Sequence, residues 1–267
     1  MKLFLTGATG FVGKSIVQHI PNYKYCVYNR GDNILECLDT FKPDVIIHSA
    51  AEIYDNTKML DSNVILTHDI LNYVKNNDVI KTIYIGSSSE YGKVFGPMKE
   101  TDICKPESIY AATKSYGTLL SQAYSKTYNK DICVIRPFSL YGPNEPPHRL
   151  IPTVVQNVKH QKSLKIIEGI HDFIHIHDFI RLLNIVITSN KTKGEIFNAG
   201  FGESYSNKDI VYKIFKIIGK TVDVEFLPIK KISDSEIWMS DTTKTEHVLG
   251  FKCAIPIDIG LTQYIYH

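Results

Sequence analysis

Short apolar runs alternate with amphipathic stretches through the first half of the chain, and this alternation constrains the fold more than any other feature. Runs that are apolar throughout are typical of strands buried on both faces of a parallel sheet. Strands are predicted at Lys2–Thr6, Tyr25–Tyr28, Val45–His48, Thr82–Gly86 and Ile132–Arg136, and helices up to His19 and at Ile34–Phe41, Asp61–Asn76 and Ser108–Tyr128. This order predicts an α/β fold with a doubly wound parallel sheet, whose ligands bind at the carboxyl ends of the strands.

The turn after the first strand is rich in glycine, with the sequence Thr6-Gly-Ala-Thr-Gly-Phe-Val-Gly13. Glycine at these three positions permits a tight turn, close approach of a pyrophosphate and close packing of the helix. The amides at the start of the following helix favour an anion. We therefore predict a Rossmann-type dinucleotide site. Its expected contacts in this turn are Gly7, Thr9, Gly10, Phe11, Val12 and Gly13.

The tip of the second predicted strand should contact the adenosine ribose, and it has the sequence Tyr28-Asn-Arg-Gly-Asp32. Arginine at this position accommodates the 2′-phosphate of NADP, whereas NAD-specific enzymes usually carry an acid there. Because no acid stands directly at the tip, Asn29, Arg30 and Asp32 favour NADP(H), with NAD(H) possible. In the alternative interpretation, Arg30 is a surface charge and Asp32 serves the ribose or adenine.

The pattern of apolar segments changes after Tyr141-Gly-Pro143, where the segments become shorter and polar turns more frequent. We predict a dinucleotide-binding domain at 1–142, to which 171–200 returns through a strand near Glu195–Asn198. A smaller C-terminal substrate-binding lobe is predicted from 143–170 and 201–267.

Composition excludes several classes of protein. Apolar residues make up 43% of the chain, charged residues 22%, and the net charge is only +2, so neither nucleic acid nor a membrane surface is expected as a partner. The five cysteines are scattered without a Cys-x-x-Cys pair, which indicates reduced thiols and no metal site. We find no signal-peptide pattern and no apolar run near the roughly 20 residues of a membrane span, and expect a cytoplasmic protein.

Tyr110 and Lys114 are four residues apart on a predicted helix, so their side chains share one face. The lysine ammonium can stabilise the tyrosine phenolate and so lower a pKa that is about 10 in an unperturbed phenol. Ser87, Ser88 and Ser89 follow a central strand, at the sheet edge where a cofactor binds. A serine there can bind a substrate oxygen while Tyr110 transfers a proton.

These motifs recur in a fixed order with Arg136-Pro-Phe-Ser-Leu-Tyr-Gly-Pro143, His171-Asp-Phe-Ile-His-Ile-His-Asp178 and Phe197-Asn-Ala-Gly200. Together they resemble the extended short-chain dehydrogenase/reductases that act on nucleotide-activated sugars, over essentially the whole chain. The resemblance implies a catalytic set of one serine, one tyrosine and one lysine. The serine would be Ser87, with Ser88 as the alternative. Tyr110 would be the acid/base, and Lys114 would bind the nicotinamide ribose. It further implies cofactor contacts from Ala50, Ala51, Tyr110, Lys114, Pro137 and Phe138, a supporting role for Asn63, and a homodimer formed through helices 61–76 and 108–128.

Within that family, the serine loop argues against sugar 4,6-dehydration, because dehydratases carry an Asp-Glu pair where this chain has Ser88 and Ser89. The GDP-fucose-synthase-like enzymes carry a cysteine at the Ser89 position, so ring epimerisation coupled to reduction is not expected either. The segment Phe41–Ala51 resembles the 4-keto-6-deoxy-sugar reductases. We therefore expect NADPH-dependent reduction of a C4 keto group on a nucleotide-activated sugar. An NAD-dependent 4-epimerase is the alternative, and a non-catalytic dinucleotide-binding sensor is a hypothesis of another class.

Substrate contacts are predicted at Ser88, Ser89, Ser139, Arg149 and His171. The diphosphate is assigned to Arg149, with His171 or Lys165 as alternatives. His175 and His177, two residues apart on an apparent strand, lack a third ligand and are interpreted as structural.

Overall fold

A six-stranded parallel sheet forms the centre of the molecule, with strand order β2-β1-β3-β4-β5-β9. The computed structural model describes residues 1–228 and 238–266, so the part of the predicted lobe at 229–237 lies outside the described residues. The strands are β1 (Lys2–Thr6), β2 (Lys24–Tyr28), β3 (Val45–His48), β4 (Lys81–Ile85), β5 (Ile132–Pro137) and β9 (Ile196–Ala199). The predicted doubly wound α/β fold is confirmed, and the strand near Glu195–Asn198 does join this sheet.

Helices cover both faces of the sheet and so bury its strands on both sides. Alternate residues of β1 show the division: Leu3 and Leu5 pack with α1 and α6, whereas Phe4 packs with α2 and α3. These helices are α1 (Phe11–His19), α2 (Ile34–Phe41), α3 (Leu66–Asn76), α4 (Ile109–Tyr128) and α6 (Ile176–Thr188). α3 follows a π-helical turn at Leu60–Ile65, and Ser108 caps α4 by accepting a hydrogen bond from the Ala111 amide.

The chain reverses its direction across the sheet at β1, which has β2 on one side and β3 on the other. In a doubly wound sheet such a switch leaves a crevice beyond the carboxyl ends of the two strands. The glycine turn follows β1 and the segment from Ser49 follows β3, so both border that crevice.

A second apolar core lies in the C-terminal part of the chain and contains Tyr141, Val154, Ile214 and Leu261. Its elements are β6 (Ser139–Tyr141), α5 (Leu150–Lys159), β7 (Leu164–Ile167), β8 (Ile170–His175), β10 (Ser204–Ser206), α7 (Asn207–Ile218), β11 (Val224–Leu227), α8 (Thr243–Leu249) and α9 (Ile257–Tyr266). β10, β8 and β6 form one small sheet, and β11 pairs with β7 in another. The predicted domain boundaries stay a prediction. Within the described chain, none of the helices combines the length and apolar character needed to cross a bilayer.

The interpretation of His175 and His177 as two positions of one strand was wrong. His175 ends β8 and caps α6, accepting a hydrogen bond from the His177 amide at 3.2 Å, and His177 lies in the first helical turn. The described residues contain no cluster of His, Cys, Asp and Glu suited to a metal ion.

Candidate active site

The glycine turn after β1 is shaped for close approach by a ligand. Gly7 has a φ of +76°, and a Cβ there would lie 2.7 Å from the backbone nitrogen of Ala50. A Cβ on Gly13 would lie 2.1 Å from the carbonyl oxygen of Gly7, so α1 packs against the turn only with glycine. α1 begins after Gly10 without a side-chain cap and without an acid in its first turn. Its first amides therefore suit a bound anion such as a pyrophosphate.

Two cavities meet at this glycine turn. One is about 750 Å³ and lies at the tip of β2, and the other is about 480 Å³ and lies at the carboxyl ends of β4 and β5. Gly7, Gly10, Ser49 and Ala51 line both of them. This arrangement fits a dinucleotide, with adenosine in the first cavity, the pyrophosphate at the turn and nicotinamide in the second.

The first cavity brings together most of the residues predicted for the adenosine half: Thr9, Asn29, Arg30, Ala50 and Ala51. Arg30 is 66% exposed, and its Nη2 lies 3.2 Å from Oε2 of Glu52. Asp32 is outside the lining, and its carboxylate accepts a hydrogen bond from the Asn29 amide at 3.0 Å. The Arg30 guanidinium, which could bind the 2′-phosphate of NADP, therefore already pairs with the Glu52 carboxylate.

The second cavity contains the predicted catalytic residues. Ser87, Tyr110 and Lys114 all line it, together with the predicted nicotinamide contacts Pro137 and Phe138. Phe11, Val12 and Gly13 border it from α1. The sequence motifs are therefore brought to one place by the fold.

Ser87 is held at the carboxyl end of β4 by a capping box. Its hydroxyl accepts a hydrogen bond from the Ser89 amide at 3.2 Å, while its own amide donates to Oε1 of Glu90 at 2.7 Å. The Ser87 and Ser89 hydroxyls are 2.7 Å apart. The indole of Trp238 donates to the Ser88 hydroxyl at 3.0 Å.

A buried ion pair supports the serine loop from behind, and the sequence analysis missed it. Arg136 Nε donates to Oε2 of Glu90 at 2.9 Å, and both side chains are almost fully buried. The Arg136 guanidinium also lies 4.5 Å from the centre of the Tyr91 ring. Burial raises the pKa of Glu90, and the arginine charge opposes that rise. The one acid in this loop is thus a structural anchor and does not line the cavity.

Tyr110 and Lys114 lie on α4 as predicted, but their electrostatics differ from the prediction. Burial raises the pKa of Tyr110 to about 12, and the nearby Ser87 side chain only partly opposes this rise. The Lys114 ammonium donates to the carbonyl oxygen of Ile85 and lies 4.3 Å from the centre of the Tyr84 ring. The expectation that Lys114 lowers the pKa of Tyr110 was therefore wrong for this structure, because desolvation dominates and the ammonium interacts elsewhere. Burial also lowers the pKa of Lys114 to about 8.

A chain of buried hydrogen bonds connects the glycine turn to α4. Thr6 Oγ1 lies 2.7 Å from His48 Nδ1, and His48 Nε2 lies 2.9 Å from Thr67 Oγ1. Thr67 donates to the carbonyl oxygen of Asn63, whose Nδ2 donates to Thr113 Oγ1 at 2.9 Å. Asn63 thus has contacts suited to the supporting role predicted for it. The other hydrogen bonds of this series were not predicted. They include those of His48, whose pKa is lowered by burial to about 3.

The cavity wall facing the catalytic residues comes from two loops. His148 and Arg149 precede α5, and Tyr54 follows β3. The Tyr54 hydroxyl lies 2.7 Å from His148 Nε2, across 94 residues of sequence. Arg149 Nε lies 3.2 Å from Oε1 of Glu145. Of the residues predicted to contact substrate, Arg149 and Ser88 line this cavity.

The remaining predicted substrate residues are not brought to the cavity lining. Ser89 is outside the lining, with its hydroxyl 2.7 Å from that of Ser87, and Ser139 lies in β6, paired with Phe173 of β8. His171 lies in β8, paired with Tyr205 of β10. Lys165, the further alternative, is exposed and pairs with Glu225 at 2.9 Å. Among the candidates for the diphosphate, only Arg149 therefore lies at the cavity with the catalytic residues.

Comparison with known proteins agrees with this arrangement. Residues 3–200 match the model of the NAD dependent epimerase/dehydratase family. The chain belongs to this family. The predicted resemblance to extended short-chain dehydrogenase/reductases of nucleotide sugars is therefore confirmed at the level of the family, and the chain is an enzyme of a family that uses a nicotinamide dinucleotide.

Members of the epimerase/dehydratase family with different activities are similar to this chain. It is 31% identical to the UDP-glucuronate 4-epimerase of Thermodesulfobacterium geofontis, over 85% of this chain and 73% of that protein. It is 26% identical to the dTDP-glucose 4,6-dehydratase of Streptomyces griseus, over 84% and 72% of the two chains.

Among solved structures, the UDP-glucuronic acid 4-epimerase of Bacillus cereus in complex with UDP-glucuronic acid and NAD has a TM-score of 0.89. It is 26% identical, and the match covers 99% of this chain and 98% of that one.

Proposed function

We propose that this enzyme transfers hydride at C4 of a nucleotide-activated hexose, with Tyr110 as the proton-transferring residue. A nicotinamide dinucleotide, held by the glycine turn and the residues lining the two cavities, would supply or accept the hydride when bound. In the direction of reduction, Tyr110 donates its hydroxyl proton to O4 as hydride reaches C4, and the phenolate then regains a proton from solvent. Ser87 hydrogen-bonds O4, and Lys114 binds the nicotinamide ribose.

One observation carries the choice of C4 oxidoreduction over dehydration. Ser87, Tyr110 and Lys114 line a cavity that no carboxylate lines, counting the described residues only. Elimination across C5 and C6 requires a base and an acid at those carbons. Glu90 is unsuited to that task, because it is fully buried and paired with Arg136. The similarity to a dehydratase therefore supports the arrangement of Ser87, Tyr110 and Lys114 in the site, and does not support a dehydration reaction.

Within this chemistry, we propose net reduction of a 4-keto-6-deoxy sugar by NADPH. With its pKa raised to about 12, Tyr110 is a neutral phenol near pH 7 and is ready to donate a proton. Arg30 lines the adenosine cavity, where its guanidinium would exchange the Glu52 carboxylate for the 2′-phosphate of NADPH.

Epimerisation at C4 with NAD is the second candidate. It is supported by the 31% identity to a UDP-glucuronate 4-epimerase and by the similar Bacillus cereus enzyme, which was solved with NAD. An epimerase uses the same three residues, with Tyr110 acting as a base and then as an acid.

We further expect a homodimer formed through the helical segments 61–76 and 108–128, because apolar side chains at Ile65 and Leu119 are 45% and 63% exposed. Light scattering of the purified enzyme tests this expectation.

A panel of substrates separates these reactions. The enzyme is supplied with NADPH or NADH and with 4-keto-6-deoxy hexoses carried on TDP, UDP, GDP and CDP. We expect loss of NADPH absorbance with one of them, faster than with NADH, and formation of a 4-hydroxy sugar. Interconversion of C4 epimers without net loss of cofactor supports the epimerase instead. Tight cofactor binding without either reaction contradicts both enzyme proposals and favours a dinucleotide sensor.

A further inference from the structure

Glu145, in the loop between β6 and α5, is a buried acid that faces the second cavity only through another side chain. Its side chain is 3% exposed, whereas that of Arg149, its partner at 3.2 Å, is 36% exposed and lines the cavity. An ion pair on an open surface contributes little, because both side chains remain solvated. Here one partner is removed from water and the other faces the site of reaction.

The contacts of the Glu145 carboxylate are incomplete without Arg149. Oε1 lies by the Arg149 guanidinium, and among the described residues Oε2 is buried without a hydrogen-bond partner. The other ionisable groups that act on it electrostatically are the phenols of Tyr141, from β6, and Tyr264, from α9. Arg149 therefore carries the one positive charge that compensates this anion in the described structure. A buried carboxylate without a cation would be strongly unfavourable, so the position of the guanidinium is constrained.

We propose that Glu145 is a positioning residue that holds Arg149 by its Nε, so that the two terminal nitrogens of the guanidinium face an anionic group of the substrate. A guanidinium is a planar fork, and engagement of Nε on one edge leaves the terminal N–H donors for oxyanions. The inference rests on the proposed function, in that the ligand is a nucleotide sugar.

The anion that Arg149 meets lies close to the reacting hexose. Arg149 and Tyr110 line the same cavity, and the Arg149 charge lowers the pKa of Tyr110 against the larger effect of burial. In the proposed 6-deoxy substrate the anionic oxygens near the reacting C4 belong to the diphosphate joined to the hexose, whereas in a uronic acid substrate of the second candidate reaction they also belong to the C6 carboxylate. Both present paired oxygens that a guanidinium binds well.

Glu145→Gln tests the inference, because the amide keeps the size of the side chain and removes its charge. We expect the KM for the nucleotide sugar to rise about tenfold, equivalent to about 1.4 kcal/mol, with kcat changed less than about threefold and cofactor affinity unchanged. In the wild type, burial raises the pKa of Glu145 to about 7, so KM should rise as the pH falls through 7. That dependence should disappear in the variant.

Two further variants make the result interpretable. Arg149→Ala should raise KM at least as much, and adding Glu145→Gln to it should change KM no further, since Glu145 acts through Arg149. Asp258→Asn breaks the exposed pair with Lys213 at 2.8 Å and is the matched control, with KM expected to stay the same.

The affinities for UDP alone and for UDP-sugars with and without a C6 carboxylate identify the anion that Arg149 binds. A loss of affinity in Glu145→Gln for UDP alone indicates the diphosphate, and a loss confined to the carboxylated sugar indicates the hexose. An active wild type whose KM is unchanged by Glu145→Gln, or by Arg149→Ala if the first variant does not fold, overturns this inference alone. A wild type that neither binds nor converts any nucleotide sugar overturns the proposed function and this inference with it.

Discussion

Replacing Tyr110 with phenylalanine removes the proposed proton donor and little else. The hydroxyl interacts with the Ser87 side chain, while the ring lies in the first turn of α4, whose N-cap is made by Ser108. The helix and its packing should therefore survive, and we expect the melting temperature to change by no more than about 2 °C. Loss of a positioned general acid lowers kcat by about 10²–10⁴-fold. That loss corresponds to about 3–5 kcal/mol of transition-state stabilisation.

The assay compares kcat, cofactor affinity and pH dependence in wild type, Tyr110→Phe and Tyr116→Phe. Tyr116 lies on the same helix, outside the lining of the two cavities that meet at the glycine turn, so its variant should keep full turnover. With a Tyr110 pKa of about 12, the phenol stays protonated between pH 6 and 9, and wild-type reduction should show a nearly flat kcat over that range. A base role would instead raise kcat about tenfold for each pH unit.

A Tyr110→Phe variant that keeps more than about a third of wild-type turnover refutes the proton-transfer role. A loss of activity that disappears at saturating cofactor would mean that Tyr110 acts only through cofactor binding, which also contradicts the proton-transfer role.

Three other perturbations follow from the structure. His48 is buried and neutral with a pKa of about 3, so the free energy of unfolding should fall by up to about 5 kcal/mol as pH drops from 6.5 to 3, and His48→Gln should flatten this dependence in urea titrations. Glu90→Gln leaves Arg136 buried without its anion and should cost about 3–5 kcal/mol of stability by urea unfolding, and a cost below 1 kcal/mol would contradict the pairing. Arg30→Ala should raise the KM for NADPH about tenfold and leave that for NADH unchanged, and an equal effect on both would argue against NADPH preference.

The sheet, the glycine turn and the positions of the catalytic residues were predictable because local patterns carry them. The apolar run of β1 and the glycines at 7 and 13 act within a few residues of sequence. Tyr110 and Lys114 share a helix face by spacing alone. Their placement opposite Ser87 follows from the strand order of a doubly wound sheet.

The features of the site that were not predicted depend on contacts between distant parts of the chain. The Glu90–Arg136 pair joins residues 46 positions apart, and the Tyr54–His148 bond joins residues 94 positions apart. No local pattern marks either pair. The direction of the Tyr110 pKa was mispredicted for the same reason, because spacing on the helix does not show how strongly the fold desolvates the hydroxyl.

The position of His177 was mispredicted because a spacing of two residues fits a strand. It fits equally well a strand that ends at a histidine capping the next helix, as His175 does.

The most direct test of the proposed reaction follows the hydride itself. The enzyme is incubated with NADPH that carries deuterium at both hydrogen positions of the nicotinamide C4 and with the 4-keto sugar nucleotide that it reduces, and the product is examined by NMR and mass spectrometry. We predict one deuterium per product molecule, located at C4 of the hexose, and a much slower formation of labelled product in Tyr110→Phe. A product without deuterium at C4, or with deuterium at another carbon, would contradict the account.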